Sequence, residues 1–253
     1  MGCELQKASF WKRISAWLFD VIITGILAVG LAVALSLLLG YDSYNQTVET
    51  AYEKYEQEYG ITFEIPTQEY EALSQADRQR YDAAYDALMQ DEQAMYAYSM
   101  MLNLVLIIAS VSILLAMLVW EFAIPLWLGS GRTLGKKIFG LGLVRQDCVK
   151  LTTLQLFART VLGKCTLETL LPVYMLLLSI WGVMSVAGPV VLLALFGGQL
   201  LCLIFTRNRS AIHDLLAGTA VVDISSQRVF ESTDDLIAYQ KKIAAERAAR
   251  ADY

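Results

Sequence analysis

The sequence predicts an all-α membrane protein: a four-span helical bundle with a small juxtamembrane β element and an extracytoplasmic helical insertion. Three observations carry that prediction. The apolar residues, 56% of 253, are clumped into runs with almost no charge, and runs of 18 or more are the length a lipid-spanning helix needs. The last run, 167–206, is twice that length and breaks at Ala187, Gly188 and Pro189, so it reads as a hairpin of two spans, 167–185 and 189–206. With four spans and both termini cytoplasmic, 17 of the 20 Lys and Arg lie on the inner side, leaving Lys54, Arg78 and Arg80 outside, which obeys the positive-inside rule.

Taken in order, residues 1–40 hold the N-terminus and the first span. This apolar run is too long for a signal peptide and lacks a cleavage site, so it stays as a permanent helix. Cys3 follows no apolar run, and Gln6 stands where a myristoylation signal needs Ser or Thr. Ala16, Asp20, Thr24, Ala28, Ala32, Ser36 and Gly40 recur every fourth position, a row on which another helix can approach closely. Arg13 and Asp20 are seven residues apart and project from one face.

Residues 41–99 form an acidic insertion with 10 of the 13 tyrosines and 13 of the 25 acidic residues. From Thr67 onward good helix formers predict one helix running into the second span, with Tyr81, Tyr85 and Leu88 on one apolar face. Tyr96 and Tyr98 suit an interfacial belt. The second span, 100–128, carries Glu121 near its inner end and stops at Pro125 and Gly129.

Residues 129–166 are the juxtamembrane region. Glycines there permit a sharp turn, and Lys136 and Lys137 are expected to face lipid headgroups. GSGRTLGKK lacks the spacing of a nucleotide loop. Ile138–Val144 and Thr219–Ile224 are short and apolar and pair as a small sheet, while 152–164 suits a helix lying in the interface. The tail within 207–253 begins with Ser232, Thr233, Asp234 and Asp235 and continues as a charged helix. The four cysteines all fall at inner or intramembrane positions, so no disulfide framework is expected.

Several polar residues collect at the inner ends of the spans: Arg13, Asp20, Glu121, Arg159, Gln199, His213 and Asp214, with Glu168 near them. A buried aspartate in a span either pairs or serves a pathway. Desolvation raises its proton affinity, so an arriving cation would displace a proton. The other reading is an internal pair, Arg13 with Asp20 or Arg159 with Asp20, that only fixes packing. One histidine, no nucleophile elbow and no metal-ligand spacing point away from an enzyme, a metal centre or a cofactor. Nothing in the chain suggests nucleic acid as a partner.

The run GSGRTLGKKIFGLGLVRQDCVKLTTLQLFART, with Arg13 and Asp20 before it and His213-Asp214-x-x-Ala217-Gly218-Thr219 after it, resembles the RDD family of bacterial membrane proteins. That family is named for one arginine and two aspartates, which map onto Arg13, Asp20 and Asp214. The resemblance covers 10–40 and 100–224; the insertion of roughly 60 residues departs from it. It implies a helical membrane domain of the bacterial inner membrane, a role in transport, and in one branch sodium–proton exchange. The expected partners are the lipid bilayer, monovalent cations and protons, and further copies of the chain, since four spans make a small bundle. The alternative is a non-transporting adaptor or assembly factor that binds partners through its external hairpin and tail.

Overall fold

The computed structural model describes residues 5–128, 131–184, 186–206, 208 and 210–251. Along the chain run α1 (Phe10–Leu39), α2 (Tyr41–Tyr59), α3 (Thr67–Ala72), α4 (Gln75–Gln90) and α5 (Glu92–Trp127). They are followed by α6 (Leu134–Ile138), β1 (Leu141–Arg145), α7 (Thr153–Ile180), α8 (Ala187–Phe205), α9 (Ile212–Ala217), β2 (Thr219–Asp223) and α10 (Thr233–Ala251). Four of these helices, α1, α5, α7 and α8, are long and apolar enough to cross a membrane, and the two strands make the small sheet. The fold is that of an all-α membrane protein.

Contacts divide the chain into two compact units, one comprising the residues up to Val29 and from Ile113 onward, the other Gly30–Ser112. In the first, β1 and β2 pair antiparallel with Leu143 opposite Val221. Leu141, Leu143 and Val221 bury one sheet face against Ala8 and Ala16, which seats the sheet on the start of α1. Beyond β1, Cys148 and Val149 pack with Phe230 and Leu236, tying α10 to the same base. Cys148 is disulfide-bonded, contrary to the expectation of no disulfide; Cys165 and Cys202 are free.

The third span differs most from expectation. α7 starts at Thr153 rather than near 167, and the stretch expected to lie in the interface is its first half. Thr152 sets this start with a capping box, its hydroxyl accepting from Gln155 N at 3.2 Å while the Gln155 side chain accepts from Thr152 N at 3.2 Å. Residues Ala158–Leu170 of α7 and Leu118–Ala123 of α5 are wound as π-helix. Each π stretch runs up to a proline, Pro172 or Pro125, whose ring cannot donate in the α pattern.

In the second unit α2 lies between two left-handed glycines, Gly40 and Gly60, and Gly60 N–H closes the helix onto the Glu56 carbonyl. The expected single helix from Thr67 is broken twice. Leu73 is extended, and Ser74 starts α4 by accepting from Asp77 N. Asp91 is also extended and starts α5 by accepting from Gln93 N at 3.1 Å and Ala94 N at 3.0 Å. Good helix formers thus yield to side chains that cap a new turn. Tyr55, Phe63, Ala84 and Leu88 form this unit's core; Tyr81 packs beside it while Tyr85 is 48% exposed.

Candidate functional site: a buried charged cluster

At the base of the first unit, one group of charges is built around Asp20. Its carboxylate is 1% exposed and accepts from Trp120 Nε1 at 3.1 Å, Gly135 N at 3.1 Å and the Thr133 hydroxyl. Thr133 N-caps the short helix α6 by accepting from Lys136 N at 3.3 Å, and the Gly135 amide of that turn is the one bonded to the acid. Gly135 is needed for the approach: a Cβ there would stand 2.6 Å from the Ala16 carbonyl oxygen and 2.7 Å from Asp20 Oδ1. The ammonium of Lys136 lies 3.2 Å from the Thr133 hydroxyl, 3.5 Å from Asp20 Oδ2 and 3.8 Å from Glu121 Oε2. Glu121 Oε1 takes a close contact from Lys164, while Glu121 Oε2 has no hydrogen bond.

A second group is built around Asp214, which is fully buried. Its Oδ1 accepts from Arg159 Nε at 2.8 Å and Thr219 Oγ1 at 3.0 Å; its Oδ2 faces Arg13 at 3.9 Å. Burial alone would raise the Asp214 pKa, but the guanidiniums of Arg159 and Arg13 hold it well below the usual carboxylate range. The Arg159 guanidinium also lies 2.9 Å from His213 Nε2. A guanidinium only donates, so Nε2 accepts and the proton sits on Nδ1, which donates to Glu168 at 2.7 Å. His213 is therefore neutral, and burial pushes its pKa down. Glu168 also accepts from His213 N at 3.0 Å, and Gln199 accepts from Ile212 N at 3.1 Å, which together anchor the start of α9.

The two groups adjoin through consecutive residues of α7: Arg159 serves the second, while Thr160 Oγ1 donates to the Glu121 carbonyl at 3.2 Å. Gly163 lets α9 come close, since a Cβ there would stand 2.5 Å from His213 Cβ. The charges balance among the described residues: Asp20, Glu121, Glu168 and Asp214 against Arg13, Lys136, Arg159 and Lys164, with His213 neutral. No three His, Cys, Asp or Glu side chains converge as metal ligands among the described residues.

The family comparison bears on this same constellation. The RDD family model matches residues 7–218, most of the chain, including Arg13, Asp20 and Asp214. The chain belongs to the RDD family. Neither the curated proteins nor the solved structures give a match.

All seven residues singled out from this RDD sequence lie in the first unit, but their pairing differs from both pairs considered. Asp20 pairs with Lys136 rather than Arg13 or Arg159, and Arg13 and Arg159 both turn to Asp214. Lys136, expected at lipid headgroups, is 7% exposed. Its signal was the run Thr133-x-Gly135-Lys136, in which the cap, the close-approach glycine and the lysine are consecutive parts of one contact. Lys164 was missed because five residues from Arg159 is the far side of an α-helix. On the π-helix that actually forms, residues five apart are hydrogen-bonded neighbours, and both side chains are buried.

Proposed function

We propose that this RDD protein resides in the bacterial inner membrane with both termini cytoplasmic, and that it moves a small ligand by exchanging a monovalent cation for a proton at Lys136. It is read as a transporter working as an oligomer, not as an enzyme. The distribution of Lys and Arg along the sequence supports the orientation. The observation that carries the function is the buried Lys136 ammonium, held among three oxygens of Thr133, Asp20 and Glu121.

Burial outweighs its two carboxylates and pushes the Lys136 pKa down to about 8, within reach of cellular pH. When the ammonium gives up its proton the cluster holds four carboxylates and three cationic side chains, a net charge of one negative. A monovalent cation placed among the oxygens that had faced the ammonium restores neutrality, so one cation enters as one proton leaves. The Asp20 carboxylate, held by three donors, supplies one of the oxygens that face the ammonium. The π-wound segments of α5 and α7, which carry Glu121, Arg159, Lys164 and Glu168, are the kind of helical irregularity found at functional sites.

The test is proton flux driven by a cation gradient in proteoliposomes, comparing wild type with Asp20→Asn. The reading expects the variant's flux to fall to that of empty vesicles. Equal fluxes would remove it.

A further inference from the structure

The second unit holds a polar groove of about 440 Å³ between α2 and the start of α5, a volume within the range of small-molecule sites. From α2 it is lined by Ser43, Gln46, Thr50 and Lys54, which helical spacing places along one flank of that helix. Gln93 and the capping Asp91 line it from the start of α5. Behind them stand the methyl groups of Ala51 and Ala94, 8% and 4% exposed.

The two charged side chains are already committed within the unit. Asp91 accepts from Gln93 N and Ala94 N through Oδ1 and from the Tyr55 hydroxyl at 3.1 Å through Oδ2. Lys54 donates to the same hydroxyl at 3.3 Å and lies 3.8 Å from Asp91. The groove is therefore neutral, although residues 41–99 hold 13 acidic and three basic side chains. Its neutral polar groups, by contrast, are uncommitted: Ser43, Gln46, Thr50 and Gln93 are exposed, and their side chains make no hydrogen bond among the described residues.

We propose that this groove binds a neutral, hydroxyl-rich ligand, a short saccharide, through Ser43, Gln46, Thr50 and Gln93. Hydroxyls and primary amides both donate and accept, so they match sugar hydroxyls, which do the same. The other ligand classes fit less well. An anion meets the acidic excess of the unit, a cation finds only a carboxylate whose oxygens are taken, and an apolar ligand would cover polar groups without pairing them. The inference is independent of the exchange reading.

Isothermal titration calorimetry on the full chain in nanodiscs tests it, with cellobiose, maltotriose and diacetylchitobiose as neutral probes and cellobiouronic acid and chitobiose as charged ones. At least one neutral probe should bind saturably and more tightly than both charged ones. Thr50→Val with Gln93→Leu should weaken that binding about tenfold, the loss of two neutral hydrogen bonds. Thr50→Ser, which keeps the hydroxyl, should stay within about twofold of wild type. Absence of saturable binding by all three neutral probes would overturn the proposal, as would tighter binding of a charged probe. So would an equal loss from Thr67→Val with Gln79→Leu, which removes the same groups outside the groove.

Discussion

Two aspartates of the first unit receive a cationic nitrogen at the same 2.8 Å, Asp214 from Arg159 and Asp223 from Lys12, and neutralising them should have very different consequences. At equal separation the bare Coulomb attraction would be the same in either pair. Burial decides what survives. The Arg159 and Asp214 side chains are 2% and 0% exposed, whereas Lys12 and Asp223 are 47% and 19% exposed. Asp214→Asn leaves a buried guanidinium without its carboxylate and also weakens the hold on Arg13; breaking such a pair costs about 3–5 kcal/mol. For a chain of this size that lowers Tm by roughly 6–20 °C. Asp223→Asn removes a solvent-screened pair and should leave Tm almost unchanged, with any small difference erased by salt. Thermal unfolding in detergent at low and high salt measures both. Comparable losses for the two variants, or an Asp214→Asn loss that vanishes in salt, would refute the view that burial gives the cluster its weight.

The remaining expectations concern the neighbours of that pair and the titrating lysine. Lys136 has its folded pKa lowered to about 8 from an ordinary 10.5. Below pH 8 both folded and unfolded forms are protonated, and the folded state bears the full cost of the buried charge. Between pH 8 and 10.5 only the unfolded state still holds the proton, so stability rises with pH across that window. Lys136→Met should lose this rise while being at least as stable as wild type at pH 7, as pH-dependent unfolding curves would reveal. Gly163→Ala drives a methyl group into His213 and should cost about 1–3 kcal/mol of overpacking, read as a lowered Tm. Arg159→Lys keeps the charge but cannot reach both Asp214 and His213; losing one charged hydrogen bond should cost about 1.5–3 kcal/mol in the same assay.

Much of this arrangement was legible in the sequence, for physical reasons. Spans are long and uniformly apolar, so clumping gave their number as four, although the third begins at Thr153 and not near 167. The strand pair was visible because two short runs, 138–144 and 219–224, are both apolar and of similar length. The gathering of Asp20, Glu121, Arg159 and Asp214 in one layer was expected because each lies near the inner end of a span or just beyond it. The partners within that layer were hidden, because counting fixes depth and not rotation. Lys164 came onto the cluster through a π-wound stretch that a 3.6-residue period cannot anticipate. Lys136 was concealed by its neighbour: of two adjacent lysines, Lys137 is exposed and Lys136 is buried, and only the Thr133 cap and the Gly135 close approach distinguish them. The breaks at Leu73 and Asp91 were hidden because helix propensity alone does not register the capping carried by Ser74 and Asp91.

The central claim, that a monovalent cation replaces the proton of Lys136, is tested most directly by proton release. Sodium or potassium chloride added to the purified protein in weak buffer near pH 7, below the Lys136 pKa of about 8, should acidify the solution by about one proton per cation bound, saturating with the cation. The same additions to folded Lys136→Met should release none. Undiminished release from Lys136→Met, or saturable cation binding by wild type with no proton released, would contradict the account.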